Sequence, residues 1–210
     1  MIAGLCQQWN VCAITDEIYE HLVYDGATHT RVADLPGMAE RTITISGLSK
    51  TYSATGWRIG WLIAPPDATN AIRKVHDFLT VGAAAPLQAG AAFAINELPE
   101  SYYTDLAVNY RKKRDVLLSV LNDSTLRPLS TPEGAYYILT DAKPLMETMR
   151  QESDAALARH LVSEYGLATV PGSSFFTDPA SAAPLLRFCY CKKPETLDRA
   201  TELLRGFAIG

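Results

Sequence analysis

The hydrophobic positions of the first half of the chain follow two periods, one typical of strands and one of helices. Three short apolar runs have the length and β-branched content of buried strands: residues 11–15, 42–45 and 59–64. Apolar residues at helical spacing predict three helices: residues 1–10, a helix capped by Asp67, and residues 82–95 with a break at Pro86. Continuous apolar strands are typical of sheets covered on both faces by helices, so this half is predicted to be α/β.

The pattern changes near Leu98–Pro99, where longer amphipathic helices alternate with isolated strands. Helices are predicted from Ser101, over 141–150, between Ser153 and Gly166, and from Pro194, with strands at 136–140, 167–170 and 185–190. The basic cluster Arg111 to Arg114 is expected on the solvent face of the first of these helices. This order favours a small α+β domain, so the predicted domains are residues 1–98 and 99–210.

Composition excludes several classes of function. The 210 residues are 48% hydrophobic and carry a net charge of −4, with no long run of one sign. We therefore expect no nucleic-acid partner and no membrane surface. No apolar stretch approaches the roughly 18 to 20 residues that span a bilayer, and the predicted location is the cytoplasm.

Four cysteines, Cys6, Cys12, Cys189 and Cys191, occur in a chain of ordinary size. Buried free thiols are the simplest interpretation of so few cysteines in a cytoplasmic protein. Cys189 and Cys191 could form a metal pair, but no histidine or second cysteine pair lies near them in sequence. The candidate site is therefore predicted to hold no metal.

Lys50 stands five positions after the predicted strand 42–45, among small and hydroxyl residues. A partly desolvated lysine amine is in part neutral and nucleophilic, as Schiff-base formation requires. Nearby hydroxyls such as Ser49, together with Arg58, suit a phosphate group. The stretch predicts a pocket for an aldehyde that carries a phosphate. Two alternatives are a nucleotide-binding loop, in which Ser49 would replace a required glycine, and a plain surface lysine.

Two further sites have side chains that suggest chemistry. Asp16 ends the first predicted strand and needs a cationic partner, such as a pyridinium N–H, or else caps the following turn beside a packed Tyr19. His29 is expected to be a solvated loop residue. Arg187 lies in an apolar strand, where an unpaired guanidinium is costly, so a bound carboxylate or an acidic side chain of the same domain is expected beside it.

Together these motifs resemble those of the class I and II pyridoxal-phosphate-dependent aminotransferases. The resemblance rests on D-E-x-Y at 16–19, the lysine segment with Ser49, Lys50, Gly56, Arg58 and Gly60, P-x-G-A-Y-Y at 132–137, and P-G-S-S-F at 171–175 followed by Arg187. It implies that Lys50 is catalytic and forms the Schiff base with pyridoxal 5'-phosphate. Asp16 would bind the ring nitrogen, Tyr19 the phenolic oxygen, Ser49 and Arg58 the phosphate, and Arg187 the substrate carboxylate. Gly47 stands where the family usually has a serine.

The resemblance also implies a fold, a reaction and a partner. The fold would be part of the large sheet domain of fold type I, lacking its amino-terminal portion, followed by the small domain. The parent enzyme would be a homodimer that transfers amino groups between an L-amino acid and a 2-oxo acid. Because the family's amino-terminal motifs are absent, we expect a truncated form. The alternatives are a non-catalytic residual fragment and a lyase or decarboxylase of the same fold.

Overall fold

The structure is a computed structural model that describes residues 1–179 and 183–208. It divides into two compact units, Met1–Leu106 and the residues from Ala107 onward, and the division falls within a long helix. The assignment of residues 1–98 to a cofactor-binding domain stays a prediction. The described helices are α1 (Ile2–Gln8), α2 (Pro66–Leu79), α3 (Ala85–Glu97), α4 (Glu100–Asn122), α5 (Lys143–Thr148), α6 (Asp154–Tyr165) and α7 (Pro194–Arg205). The described strands are β1 (Ala13–Asp16), β2 (Thr42–Gly47), β3 (Gly60–Ile63), β4 (Tyr137–Asp141), β5 (Val170–Pro171) and β6 (Leu185–Cys189).

A three-stranded sheet in the order β1-β2-β3 organises the first unit. β1 and β2 are parallel, with Asp16 opposite Ile45, and β3 is antiparallel to β2. The carboxyl ends of β1 and β2 therefore lie side by side. The parallel strands and the helices of this unit confirm the α/β prediction. In α/β sheets ligands bind at the carboxyl ends of the strands, which is where the candidate site residues lie.

Strand and helix patterns in this unit differ from expectation in two ways. Ile14 is 70% exposed and Ile63 is 66% exposed, so within this chain the strands are not covered on both faces. The predictions for Asp67 and Pro86 were wrong: α2 is preceded by Pro65 as its N-cap, and Pro86 lies in the first turn of α3. Proline is tolerated there because first-turn N–H groups have no partner within the helix.

The second unit packs helices against an antiparallel sheet in the order β4-β6-β5. Its predicted helix ends are confirmed at α6: the Ser153 hydroxyl accepts a 3.1 Å hydrogen bond from Ala156 N, and Gly166 closes the helix at a φ of 67°. The core consists mainly of fully buried leucines with one tyrosine: Leu117, Leu121, Leu126, Leu157, Leu161, Leu186, Tyr190 and Leu204. β5 begins at Val170, later than the predicted strand 167–170.

Arg114 corrects the prediction that the whole basic cluster of α4 faces solvent. It is only 4% exposed. Its guanidinium donates to Pro132 O at 2.7 Å and to Asp115 Oδ1. A buried guanidinium needs such acceptors, which the helical pattern alone does not reveal. Among the described residues, no helix is both long enough and apolar enough to cross a bilayer.

Candidate active site

Asp16 is the last residue of β1, at the edge where β1 and β2 end together. Its Oδ1 accepts a 3.2 Å hydrogen bond from Ile18 N, which shapes the turn leading to Tyr19. The residue is exposed, in contrast to the buried position expected from the apolar run before it. A carboxylate accepts several hydrogen bonds, so this turn contact is compatible with a further donor.

Glu17, beside Asp16, is the buried carboxylate of this segment, at 5% exposure. Its oxygens accept hydrogen bonds from Thr15 Oγ1 at 2.9 Å, from Val32 N at 3.4 Å and from His29 Nε2 at 2.8 Å. Burial alone would raise the pKa of Glu17, but the hydrogen bonds from His29, Thr15 and Val32 outweigh it, and the pKa is lowered. His29 is an exposed loop residue, as expected, and its ring also fastens the loop to Glu17.

Lys50 lies in the turn after β2 and is half-buried. Its Nζ is 5.9 Å from the centre of the Tyr19 ring. The fold therefore brings together a lysine and a tyrosine that are far apart in sequence. The turn that begins at Asp16 and the turn after β2 both lie at the carboxyl edge of the sheet.

Ser49 and Arg58 bracket the loop that follows β2. Ser49 is half-buried, and its carbonyl accepts a 2.9 Å hydrogen bond from Thr55 Oγ1. Arg58 is exposed and has left-handed backbone angles, with φ 56° and ψ 39°. Its Nη1 donates to Thr55 O at 3.0 Å. A non-glycine residue in this conformation is uncommon and is often associated with function.

Gly47 is a glycine for a steric reason. A Cβ at this position would lie 2.9 Å from Ile59 O and 3.0 Å from Gly60 Cα, across the β2–β3 pair. This backbone therefore has no room for the serine that the family usually carries. Ser46 does not replace it freely, since its buried hydroxyl donates to Glu20 Oε1 at 3.3 Å.

Two tyrosines from the start of α4 anchor the lysine loop, and the sequence patterns did not indicate them. Tyr102 OH donates to Thr51 O at 2.8 Å, and Tyr103 OH lies 2.8 Å from Tyr52 OH. Burial and the hydrogen bond with Tyr103 raise the pKa of Tyr52, which keeps its hydroxyl protonated. The two residues that follow Lys50 are thus held by hydroxyl groups from α4.

Arg187 lies on β6 in the second unit, opposite Leu139 of β4. Its guanidinium carbon is 4.3 Å from the centre of the Tyr137 ring and 4.7 Å from that of Phe175. Its Nε is buried and has no hydrogen-bond partner among the described residues. The alternative of an ion pair within this domain is not observed in the part of the chain that the structure describes. The motifs at 132–137 and 171–175 thus each contribute a ring beside Arg187.

Comparison with known proteins supports the assignment that these residues suggest. The sequence profile of the family "Aminotransferase class I and II" matches residues 1–204. A kynurenine–oxoglutarate transaminase of Dictyostelium discoideum is 37% identical over 93% of this chain and 48% of its own length. A methionine aminotransferase of Escherichia coli K12 is also 37% identical, over 93% of this chain and 49% of its own length.

Solved structures similar to this chain are aminotransferases as well. The N-succinyldiaminopimelate aminotransferase of Mycobacterium tuberculosis superposes with a TM-score of 0.89 at 35% identity, covering 99% of this chain and 52% of that one. A methionine aminotransferase of Escherichia coli superposes with a TM-score of 0.86 at 36% identity, covering 97% and 52%.

The fold and the matched residues define a pyridoxal-phosphate-type transferase of fold type I. The chain belongs to the class I and II aminotransferase family. It spans about half the length of the curated relatives it matches.

Proposed function

We propose that this protein takes part in pyridoxal-phosphate-dependent transamination between an L-amino acid and a 2-oxo acid, with Lys50 as the catalytic residue. The observation that carries the proposal is the approach of Lys50 Nζ to the Tyr19 ring at the carboxyl edge of β1 and β2, where Asp16 also lies. Membership of the aminotransferase family supports it.

The residues at this edge fit the cofactor. Lys50 offers an amine for an aldehyde carbon, Asp16 an exposed carboxylate for a pyridinium N–H, and Tyr19 a hydroxyl for a phenolic oxygen. Ser49 and Arg58 offer a hydroxyl and a guanidinium for phosphate oxygens. When bound, pyridoxal phosphate supplies the electron sink that stabilises negative charge on the substrate α-carbon.

Each residue then has a defined task. Lys50 Nζ is the nucleophile that holds the cofactor between turnovers, and as general base it takes the α-proton of the amino acid. The Asp16 carboxylate favours a protonated ring nitrogen by pairing negative with positive charge. The Tyr102 and Tyr103 hydroxyls hold the lysine loop, so the amine is positioned with little loss of entropy on reaction.

Arg187 is proposed to bind the substrate α-carboxylate. Its buried Nε has no hydrogen-bond partner among the described residues, and the rings of Tyr137 and Phe175 lie against the guanidinium. A carboxylate would accept two parallel hydrogen bonds from such a planar group. The rings hold the guanidinium plane, which favours a planar bidentate ligand.

The relatives suggest a substrate class and an assembly. Because proteins named for kynurenine and methionine are similar over most of this chain, we propose an amino acid with a large aromatic or sulfur-containing side chain. A homodimer in the cytoplasm is the expected assembly and location of the whole protein, since the family is typically dimeric. An oxo acid such as 2-oxoglutarate would be the amino-group acceptor.

Trapping the cofactor on Lys50 tests the proposal. The purified chain is mixed with pyridoxal phosphate, reduced with borohydride and digested, and the labelled lysine is identified by mass spectrometry. We expect label on Lys50, no label after Lys50→Ala, and full label after Lys74→Ala, which alters an exposed lysine of α2. Label spread evenly over surface lysines, or none in a chain that circular dichroism shows to be folded, would contradict the proposal.

A further inference from the structure

Two thiols that the proposed reaction does not use lie at the end of β6. Cys189 is the last residue of the strand and Cys191 follows two positions later. Both are half-buried and neither is in a disulfide. Only Tyr190 separates the two cysteines, and each thiol shifts the pKa of the other, as expected for neighbouring side chains.

Cys189 is connected to Arg187 through the sheet. The two residues are separated by one position on β6, so their side chains share a face. Tyr137, whose ring covers the Arg187 guanidinium, lies directly opposite Cys189 in the β4–β6 pair. A cross-strand pair of this kind has its Cβ atoms roughly 4.5 to 5.5 Å apart. A chemical change at the Cys189 sulfur would therefore affect the Tyr137 ring, which contacts the Arg187 guanidinium.

The surroundings favour a thiolate at Cys189. The pKa of Cys189 is lowered to about 6 from an ordinary value of 9.0. The hydrogen bond with Cys191 is the largest cause, and the charges of Lys192 and Arg187 add to it, whereas burial acts in the opposite direction. Burial and the same hydrogen bond raise the pKa of Cys191. At neutral pH one thiolate and one thiol stand together, the combination from which a disulfide forms.

A cavity gives a small molecule access to the Cys189 sulfur. A space of about 240 Å³ is lined mainly by apolar residues of α4, β6 and α7, and Cys189 and Lys192 form part of its wall. A molecule of the size of water occupies about 30 Å³ in the liquid. Hydrogen peroxide, which is only slightly larger and is uncharged, therefore fits.

We propose that Cys189 and Cys191 are a dithiol modification site that a hydroperoxide oxidises reversibly to a disulfide on the strand that carries Arg187. The Cys189 thiolate attacks one peroxide oxygen, the O–O bond breaks, and Cys189 sulfenic acid and hydroxide form. The Cys191 sulfur then bonds to the Cys189 sulfur as the S–O bond breaks, and water leaves. The Cys191 proton goes to the leaving oxygen, which makes that water, and the hydroxide of the first step takes up the proton that Cys189 had released to solvent. The two thiols lose two electrons in total, and the peroxide is reduced to two waters.

The spacing of the pair makes the disulfide easy to reverse. In fully extended chain, residues two apart have Cα atoms roughly 6.6 Å apart, near the upper limit of the range that a disulfide spans. Cys191 lies just beyond the end of β6. A bond formed there is strained and is reduced readily by small thiols. Oxidation also removes the negative charge beside Arg187. If Arg187 binds the substrate carboxylate as proposed above, the redox state of the pair alters that binding.

The experiment uses the whole chain without cofactor, so its outcome does not depend on the proposed transamination. The reduced protein is treated with hydrogen peroxide, free thiols are blocked with iodoacetamide, and tryptic peptides are analysed without reduction. Cleavage after Arg187 and Lys192 releases the peptide FCYCK with both cysteines. We expect this peptide two hydrogens lighter and unalkylated, and fully alkylated if dithiothreitol precedes iodoacetamide.

Cys12 is the internal control, because it is exposed and has no partner cysteine in the sequence nearby. The pH profile of alkylation is the second readout: the rate at Cys189 should level off above about pH 6. In Cys191→Ala this inflection should move to higher pH, because the hydrogen bond is lost. Two free thiols in FCYCK under conditions that oxidise Cys12, or the same pH profile for Cys189 and Cys12, would overturn the proposal.

Discussion

Glu17 Oε2 lies 2.8 Å from His29 Nε2, so a buried carboxylate next to Asp16 holds the loop that contains His29. Two consecutive acidic residues thus have opposite surroundings: Asp16 is exposed at the ligand-binding edge and Glu17 is buried. Alternation along an extended chain sends neighbouring side chains to opposite sides. We infer that Glu17 fixes the backbone from which Asp16 projects.

Replacing Glu17 by glutamine should destabilise the first unit by about 1–3 kcal/mol, because a buried charged acceptor of three hydrogen bonds is lost. The lowered pKa of Glu17 sets the pH dependence. Its stabilisation is present above the ordinary value of 4.5 and is lost as pH falls through the folded-state pKa. Urea midpoints of wild type and Glu17→Gln should therefore converge below pH 4.5. An exposed control, Glu40→Gln, should follow the wild type at every pH.

Tyr137 offers a matched pair of substitutions beside Arg187. Tyr137→Phe keeps the ring face over the guanidinium and Tyr137→Leu removes it. We expect the leucine variant to be less stable than the phenylalanine variant by about 1 kcal/mol, the usual size of a partly desolvated cation–π contact. Urea unfolding of both variants measures this difference, and equal midpoints would show that the ring face does not stabilise Arg187.

Gly47→Ser tests the steric account of the missing hydroxyl. The new side chain would meet Ile59 O and the Gly60 backbone, so the β2–β3 pair must shift, at a cost of about 1–3 kcal/mol. Gly56→Ser is the matched control, since a Cβ there has no atom within 4 Å. Thermal unfolding compares the two. A stable Gly47→Ser protein with tighter phosphate binding would refute the account.

Ser153→Ala should lower the stability of the second unit by about 1 kcal/mol, because the Ala156 N–H loses its cap. Ser163→Ala in the same helix is the control. Its hydroxyl donates to His160 O on an exposed face, and its loss should change stability little. Chemical denaturation followed by circular dichroism checks both variants. Equal midpoints for the two would argue against the capping role.

Local sequence signals predicted the elements whose causes are local. The run Thr42–Ile45 is inside β2, and Ser153 with Gly166 marks both ends of α6. Capping and turn conformations depend on a few adjacent residues, so they can be identified without the fold. The predictions for Asp67 and Pro86 failed because two kinds of local signal competed, and the prolines marked the helix starts.

Contacts between distant residues could not be predicted in this way. Nothing in the sequence near Arg114 indicates that Pro132 O will accept its hydrogen bond, and nothing near His29 indicates Glu17. The rings of Tyr137 and Phe175 beside Arg187 belong to two separate motifs, and only chain folding brings them to one guanidinium. The anchoring of Thr51 and Tyr52 by Tyr102 and Tyr103 is of the same kind.

The sequence by itself determined the family and the α/β class and indicated the candidate site residues, because these depend on residue types at fixed spacings. The tertiary structure decided which carboxylate is buried, why Gly47 has no side chain, and which thiols and rings adjoin Arg187. Those properties depend on burial and on distances between residues far apart in the chain. Such distances are determined by packing and strand pairing, and no local pattern contains them.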